Sequence, residues 1–194
     1  MKKISLIIIF IGLVTSFLGQ KKLGDYSDLK EAMKSPDSVI SLTLRERGYR
    51  KIPKEVYNFK NLQYLDLSMN KIKKIPKNLS TLDALKTFVI SHSPLCNIDN
   101  MVECKTLEDV TLIFNRINKI PENIGNLTSL KKLNLVGNCI ENAPQSICNL
   151  SNLEYLGIYE REYNCMISVE QQEQYKSCLP NCKFKFSEDV RPKK

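Results

Sequence analysis

One phrase returns along this chain every 22 or 23 residues. Its clearest copy begins at Leu62 and continues through Leu65, Leu67, Asn70, Ile72, Ile75, Pro76 and Leu79. Six copies begin at Val39, Leu62, Leu85, Leu107, Leu130 and Leu153, separated by 23, 23, 22, 23 and 23 residues. A fixed period of this length marks a solenoid in which each copy is one rung. Two leucines one residue apart point the same way, because a strand alternates its faces. Each rung therefore carries a short strand with one buried side, a turn at Asn, and an Ile-Pro return across the other side. A rung buries roughly seven apolar side chains at about 1.5–3 kcal/mol each. Ordering its backbone costs about 1–2 kcal/mol per residue. One rung alone is unstable, and stacked neighbours must complete the burial. Their strands would pair in parallel about 4.8 Å apart.

The phrase resembles the leucine-rich repeat family, in the 23-residue form with Ile-Pro in its second half found in Scribble-type scaffolds and many bacterial repeat proteins. The resemblance covers residues 39–186. It implies an α/β fold: a curved leucine-rich repeat solenoid with a parallel β-sheet on its concave face and helical caps at both ends. It also implies protein–protein recognition without catalysis or a cofactor. The expected organisation is a signal peptide at 1–19, an N-terminal capping segment at 20–38, repeats at 39–161, and a C-terminal cap and tail at 162–194.

Asn70, Asn115 and Asn138 share one phase of the repeat. An amide side chain both donates and accepts, so this column can satisfy the backbone groups a tight turn leaves unpaired. Arg47, Ser93 and Arg161 interrupt the column. The Asn residues read as structural. At the N-terminal end, residues 26–36 read as a capping helix with Ser27 as N-cap and Pro36 as its stop. At the C-terminal end, Ser168 and Gln171 read as a capping box. Tyr175, Cys178 and Leu179 then form an apolar face, Pro180 ends the helix, and Lys183–Phe186 can add a last strand.

Met1–Gly19 reads as an export signal: Lys2 and Lys3 precede an apolar run from Ile4 to Val14. That run is short for a membrane span, so no stable span is expected after cleavage. The expected location is exported: periplasmic, cell-surface or secreted. Export permits disulfides. Five of the seven cysteines fall in or after the last two rungs. Cys148–Cys178 and Cys139–Cys165 are the expected bridges, with Cys182 as an alternative partner. Seven is odd, so at least one thiol stays unpaired within the chain. Zinc at Cys178-x-x-x-Cys182 lacks a second close pair and a partner His, and no metal site is expected.

The formal charge is +8, and +6 once Lys2 and Lys3 leave with the leader. Lysines such as Lys71, Lys73, Lys74 and Lys77 read as a scattered, solvated surface, without the interleaved aromatics of a nucleic-acid face. No nucleic-acid partner is expected. The single histidine, His92, lies between Ser91 and Ser93 at a turn. Sequence neighbours near a strand end point apart, so no nucleophile–base pair forms, and no catalytic residue is assigned. A small hydrolase using Ser or Cys with His92 is the minor alternative. The sequons at Asn78, Asn126 and Asn149 recur at related phases and read as by-products of the repeat.

Phase also picks out the exposed side of the strands. Its third places are Ser41, Tyr64, Thr87, Asp109, Lys132 and Tyr155; its seventh places are Arg45, Ser68, Ser91, Ile113, Val136 and Tyr159. The seventh column turns apolar in its second half. Ile113, Val136 and Tyr159, with Tyr155 beside them and Phe114 at the edge, form a candidate stripe for a protein or peptide partner. Asp109 and Lys132 complete the candidate surface. A cell-envelope or adhesion component binding glycan or surface polymer is the alternative reading. Oligomeric state is not legible.

Overall fold

The computed structural model describes residues 24–140, 143–159 and 167–186. The export signal at Met1–Gly19, and also Arg161 and Cys165, lie outside the described residues. Eight short strands form one sheet in sequence order. They are β1 (Asp25–Tyr26), β2 (Ser41–Thr43), β3 (Tyr64–Asp66), β4 (Thr87–Val89), β5 (Asp109–Thr111), β6 (Lys132–Asn134), β7 (Tyr155–Gly157) and β8 (Lys183–Lys185). Every neighbouring pair is parallel, and equal phases face each other: Ser41 to Tyr64, Tyr64 to Thr87, Thr87 to Asp109, Asp109 to Lys132, Lys132 to Tyr155. The middle residue of every strand from β2 to β7 is buried, as its Leu, Phe or Val requires.

Single 3₁₀ turns return the chain behind the sheet at Lys54–Asn58, Lys77–Thr81, Asp99–Glu103, Ile124–Asn126 and Gln145–Asn149. Pro53, Pro76 and Pro144 stand directly before three of them. Proline's fixed φ suits this entry, and its missing N–H is one the turn would leave unpaired anyway. The short rung shows how tightly register is kept. Val89 to Asp99 is ten residues where Asp66 to Lys77 is eleven, yet Thr87 still faces Asp109. The missing residue is absorbed in the return, which still keeps the parallel bridge between Lys74 and Asn97. Between sheet and returns runs one continuous core from Ala32 to Phe186.

The ends differ from expectation in detail. The N-terminal helix α1 is only Leu29–Ala32, one turn, and its N-cap is Asp28 rather than Ser27. The Asp28 carboxylate accepts the Glu31 N–H at 3.0 Å, which draws its pKa below the ordinary value. Residues before it add a strand, β1, that closes the first rung. At the other end α2 spans Val169–Cys178. Ser168 caps it by accepting the Gln171 N–H at 3.1 Å. The reciprocal half of the capping box is replaced: the Gln171 side chain donates to Ala143 O at 3.1 Å instead, tying the helix to the last described return. Cys148 and Cys178 are disulfide-bonded with Cα atoms 5.5 Å apart, joining α2 to the 3₁₀ turn at Gln145–Asn149. Cys139 is disulfide-bonded too; Cys165, its expected partner, is not among the described residues. Cys182, the alternative partner, is a buried free thiol.

Candidate functional site

The Asn column accounts for its polar atoms locally. Asn70 Oδ1 accepts from Arg47 N at 3.1 Å and Tyr49 N at 3.0 Å, and its Nδ2 donates to Leu44 O and Leu67 O, both at 2.8 Å. Asn138 repeats the pattern on Ile117 N, Leu112 O and Leu135 O at 1 % exposure. Asn115 accepts from Ser93 N and donates to Ile90 O. Each side chain fastens its own turn to the rung before it. Ser93, in the same column, only accepts from Asn70 N at 3.2 Å. A hydroxyl fills part of the amide's role and lacks its second donor.

The ladder carries the seventh column into register beyond the strands. Ile113, Val136 and Tyr159 each accept, through their carbonyls, an N–H from the eighth place of the preceding rung: His92, Phe114 and Gly137. Their side chains are half-buried. The eighth column is the feature that sequence reasoning passed over. Glu46, Met69, His92, Phe114 and Gly137 all have positive φ, between 51° and 77°. Only Gly adopts this left-handed conformation without steric cost. The chain nevertheless holds Met69 at 43 % exposure and Phe114 at 52 % there. Gly137 is needed twice: for its own φ, and because a Cβ would collide with the Phe114 ring. On its other side, Phe114 packs against His92 with ring centroids 4.8 Å apart. A glycine at the phase of Phe114 was the available signal for this column.

The charged members of the strand face are engaged with one another. Lys132 Nζ lies 3.2 Å from Asp109 Oδ2. One place earlier, Glu108 bridges Lys86 at 3.0 Å and Lys131 at 2.7 Å. The hydrogen bond from Lys131, then that from Lys86, hold the Glu108 carboxyl below its ordinary pKa, and the same bond raises that of Lys131. These side chains and Tyr155 border an open depression of about 590 Å³ at the start of the strands. Further along the sheet Asp66 is buried, accepting Ser68 N at 2.8 Å with Arg45 Nε 3.8 Å away. Burial raises the pKa of neighbouring Tyr64.

Ser91 is buried while the His92 ring turns outward onto Phe114, and no hydrogen bond joins the two among the described residues. The Cys178 sulfur is committed to Cys148. Burial pushes the Cys104 thiol up to about 12 and Cys182 up to about 11, keeping both protonated and poor nucleophiles. Among the described residues no cluster of three or more His, Cys, Asp or Glu could hold a metal ion, and no helix is long and apolar enough to cross a membrane.

Parallel rungs with in-phase Leu, Asn and return turns define a class of solenoid, and comparison gives that class its name. The Leucine Rich Repeat family model matches at residues 61–82 and 129–150. Two of its rungs thus match that family model, and the chain has the leucine-rich repeat solenoid fold. Among solved structures, a Leptospira interrogans leucine-rich repeat protein superposes with a TM-score of 0.65 at 24% identity, over 83% of this chain and 46% of that one. The Arabidopsis receptor kinase HAESA, in complex with the peptide hormone IDA and the co-receptor SERK1, superposes with a TM-score of 0.61 at 25% identity, over 76% of this chain and 25% of that one. This chain therefore spans less than half the length of either. No curated protein matches it in sequence. A fold shared with 339 solved chains names no ligand by itself.

Proposed function

We propose that this protein is an exported, non-catalytic recognition module that binds a protein or peptide on its concave strand face. The observation that carries the reading is the apolar tract of Ile113, Val136 and Tyr159 on consecutive rungs, widened by Phe114 in the adjoining column. Large apolar and aromatic side chains at a solvent-facing position are the anchor chemistry of protein interfaces. The turn holds the eighth place of five rungs in left-handed backbone, and the large, exposed apolar side chain that Phe114 places there is not something the turn requires, which fits a surface held for contact. A peptide-binding protein among the structural neighbours is consistent with it. The Cys148–Cys178 bridge supports an oxidising location, and with it export. Tyr155 would border the contact. Asp109 and Lys132 satisfy each other, which favours a largely apolar partner over a hydroxyl-rich glycan needing free polar groups.

The test is capture from the protein's native surroundings with wild type and Ile113→Ser/Val136→Ser/Tyr159→Ser side by side, each confirmed as folded by circular dichroism. A partner held by wild type and lost by the triple variant supports the reading. Equal recovery by both removes it.

A further inference from the structure

The structure assigns a second surface, away from the strand face: we propose that the outer edge of the first two rungs is a docking surface for an anionic lipid bilayer. Residues 48–54 and 71–77 leave the turn at equal phase in consecutive rungs, and together they hold seven Lys or Arg and no Asp or Glu. The equivalent stretches of the next two rungs, 94–100 and 116–122, hold two cations and two anions. The concentration belongs to one end of the solenoid.

The fold makes an array of it. Lys71 N donates to Tyr49 O at 2.8 Å, holding the two stretches side by side. Ile52, Ile72 and Ile75 are buried. Arg50, Lys51 and Lys54 therefore stand out beside Lys73, Lys74 and Lys77, and all six are exposed. Elsewhere the cations Lys86, Lys131 and Lys132 have carboxylates from the adjoining rung. None of the six has an ion-pair partner among the described residues. Like charges on neighbouring rungs oppose stacking, and an external anion relieves that cost.

The surroundings choose the anion. Neither the depression beside Glu108 nor the one between Asp28 and Glu55 includes any of the six, and all six side chains are exposed. That form suits a flat charged surface better than a threaded polymer. The one aromatic residue in the two stretches, Tyr49, packs against the core, so base stacking has no platform. No large exposed apolar side chain lies in the array either. Binding would be peripheral, electrostatic and reversed by salt. This leaves the strand face, on a different side of each rung, free for the partner proposed above.

The purified full chain is sedimented with vesicles of phosphatidylcholine alone and of an equal mixture with phosphatidylglycerol, across a salt series. The expected result is retention on the mixed vesicles only, lost as salt rises. Each neutralised lysine should lower partitioning about fivefold, so Lys73→Gln/Lys74→Gln/Lys77→Gln should lower it about 100-fold. The control Lys30→Gln/Lys119→Gln/Lys176→Gln removes the same charge elsewhere and should bind nearly as wild type. Equal loss in both triples would mean net charge alone acts, and would overturn the proposal. So would absence of binding to the mixed vesicles, binding that survives high salt, or retention on an acidic polysaccharide without vesicle binding.

Discussion

Two regions of this solenoid use the same repeat period and reach opposite electrostatic outcomes. At the start of the strands, Lys86, Glu108 and Lys131 occupy one phase of successive rungs and alternate in sign, so each finds its partner one rung away. At the outer edge, Arg50 and Lys73, Lys51 and Lys74, and Lys54 and Lys77 occupy equal phases with equal sign, and none is paired among the described residues. Stacking converts a residue separated by 22 or 23 positions into a neighbour about 4.8 Å away. The sign sequence down a column then decides between an internal ladder and an outward field. The first region spends its charge inside the molecule, and the second keeps it available.

The most damaging way to break this contrast is to loosen the turn from which the basic stretch departs. Asn70→Ala leaves Arg47 N, Tyr49 N, Leu44 O and Leu67 O without their partner and should cost about 3–4 kcal/mol in urea unfolding. A loss below about 1 kcal/mol would mean that water replaces the amide, and that Asn70 does not fix the register of the array.

Opening the far end tests whether the two ends are independent, as nearest-neighbour stacking requires. Cys148→Ser/Cys178→Ser releases α2 from the return at Gln145–Asn149 and should lower stability by about 3 kcal/mol. Hydrogen exchange should rise around β7 and α2 while β2 and β3 remain protected. Exchange rising uniformly would show one cooperative unit.

Single charge removals should have opposite signs in the two regions. Lys131→Gln takes a partner from Glu108 and should lower Tm slightly. Lys74→Gln removes a like-charged neighbour of Lys51 and should leave Tm unchanged or raise it, with the gap between the variants widening at low salt. Equal shifts would erase the distinction.

The smallest effect is in pH. Glu108 sits below its ordinary value of 4.5 because Lys131 and then Lys86 donate to it. Its stabilisation is present above the unfolded value and is lost as pH falls through the depressed folded value. An NMR titration should place its midpoint below 4.5, and Lys131→Gln should move it back up. An unchanged midpoint in that variant would assign the shift to Lys86.

Much of this was written in the repeat. Leu65, Leu133 and Leu156 could be assigned to the core, and Asn70 and Asn138 to the turn, because burial at fixed phase leaves few alternatives. Ser168 as a cap and Cys148–Cys178 as a bridge followed from local spacing and from reach. The N-cap at Asp28 was missed because Ser27 and Asp28 are chemically equivalent candidates, and backbone direction decides between them. The left-handed column was missed because Glu46, Met69 and Phe114 are residue types that seldom adopt left-handed backbone. Gly137 alone hinted at it. Lys71, Lys73, Lys74 and Lys77 were read as scattered along the chain, whereas stacking gathers three of them beside Arg50, Lys51 and Lys54.

By itself, then, the sequence determined that the chain stacks rungs, which side chains go inside, and how each turn closes. Burial of apolar groups and satisfaction of backbone polar groups act within one rung or between equal phases, so periodicity reports them. Only the tertiary structure decided which charges meet and which stand alone, and which bulky side chains are held in left-handed backbone at the surface. Those outcomes depend on the reach of long side chains and on ladder register between rungs. They are set by distances across the stack, to which the order of residues along the chain is only an indirect guide.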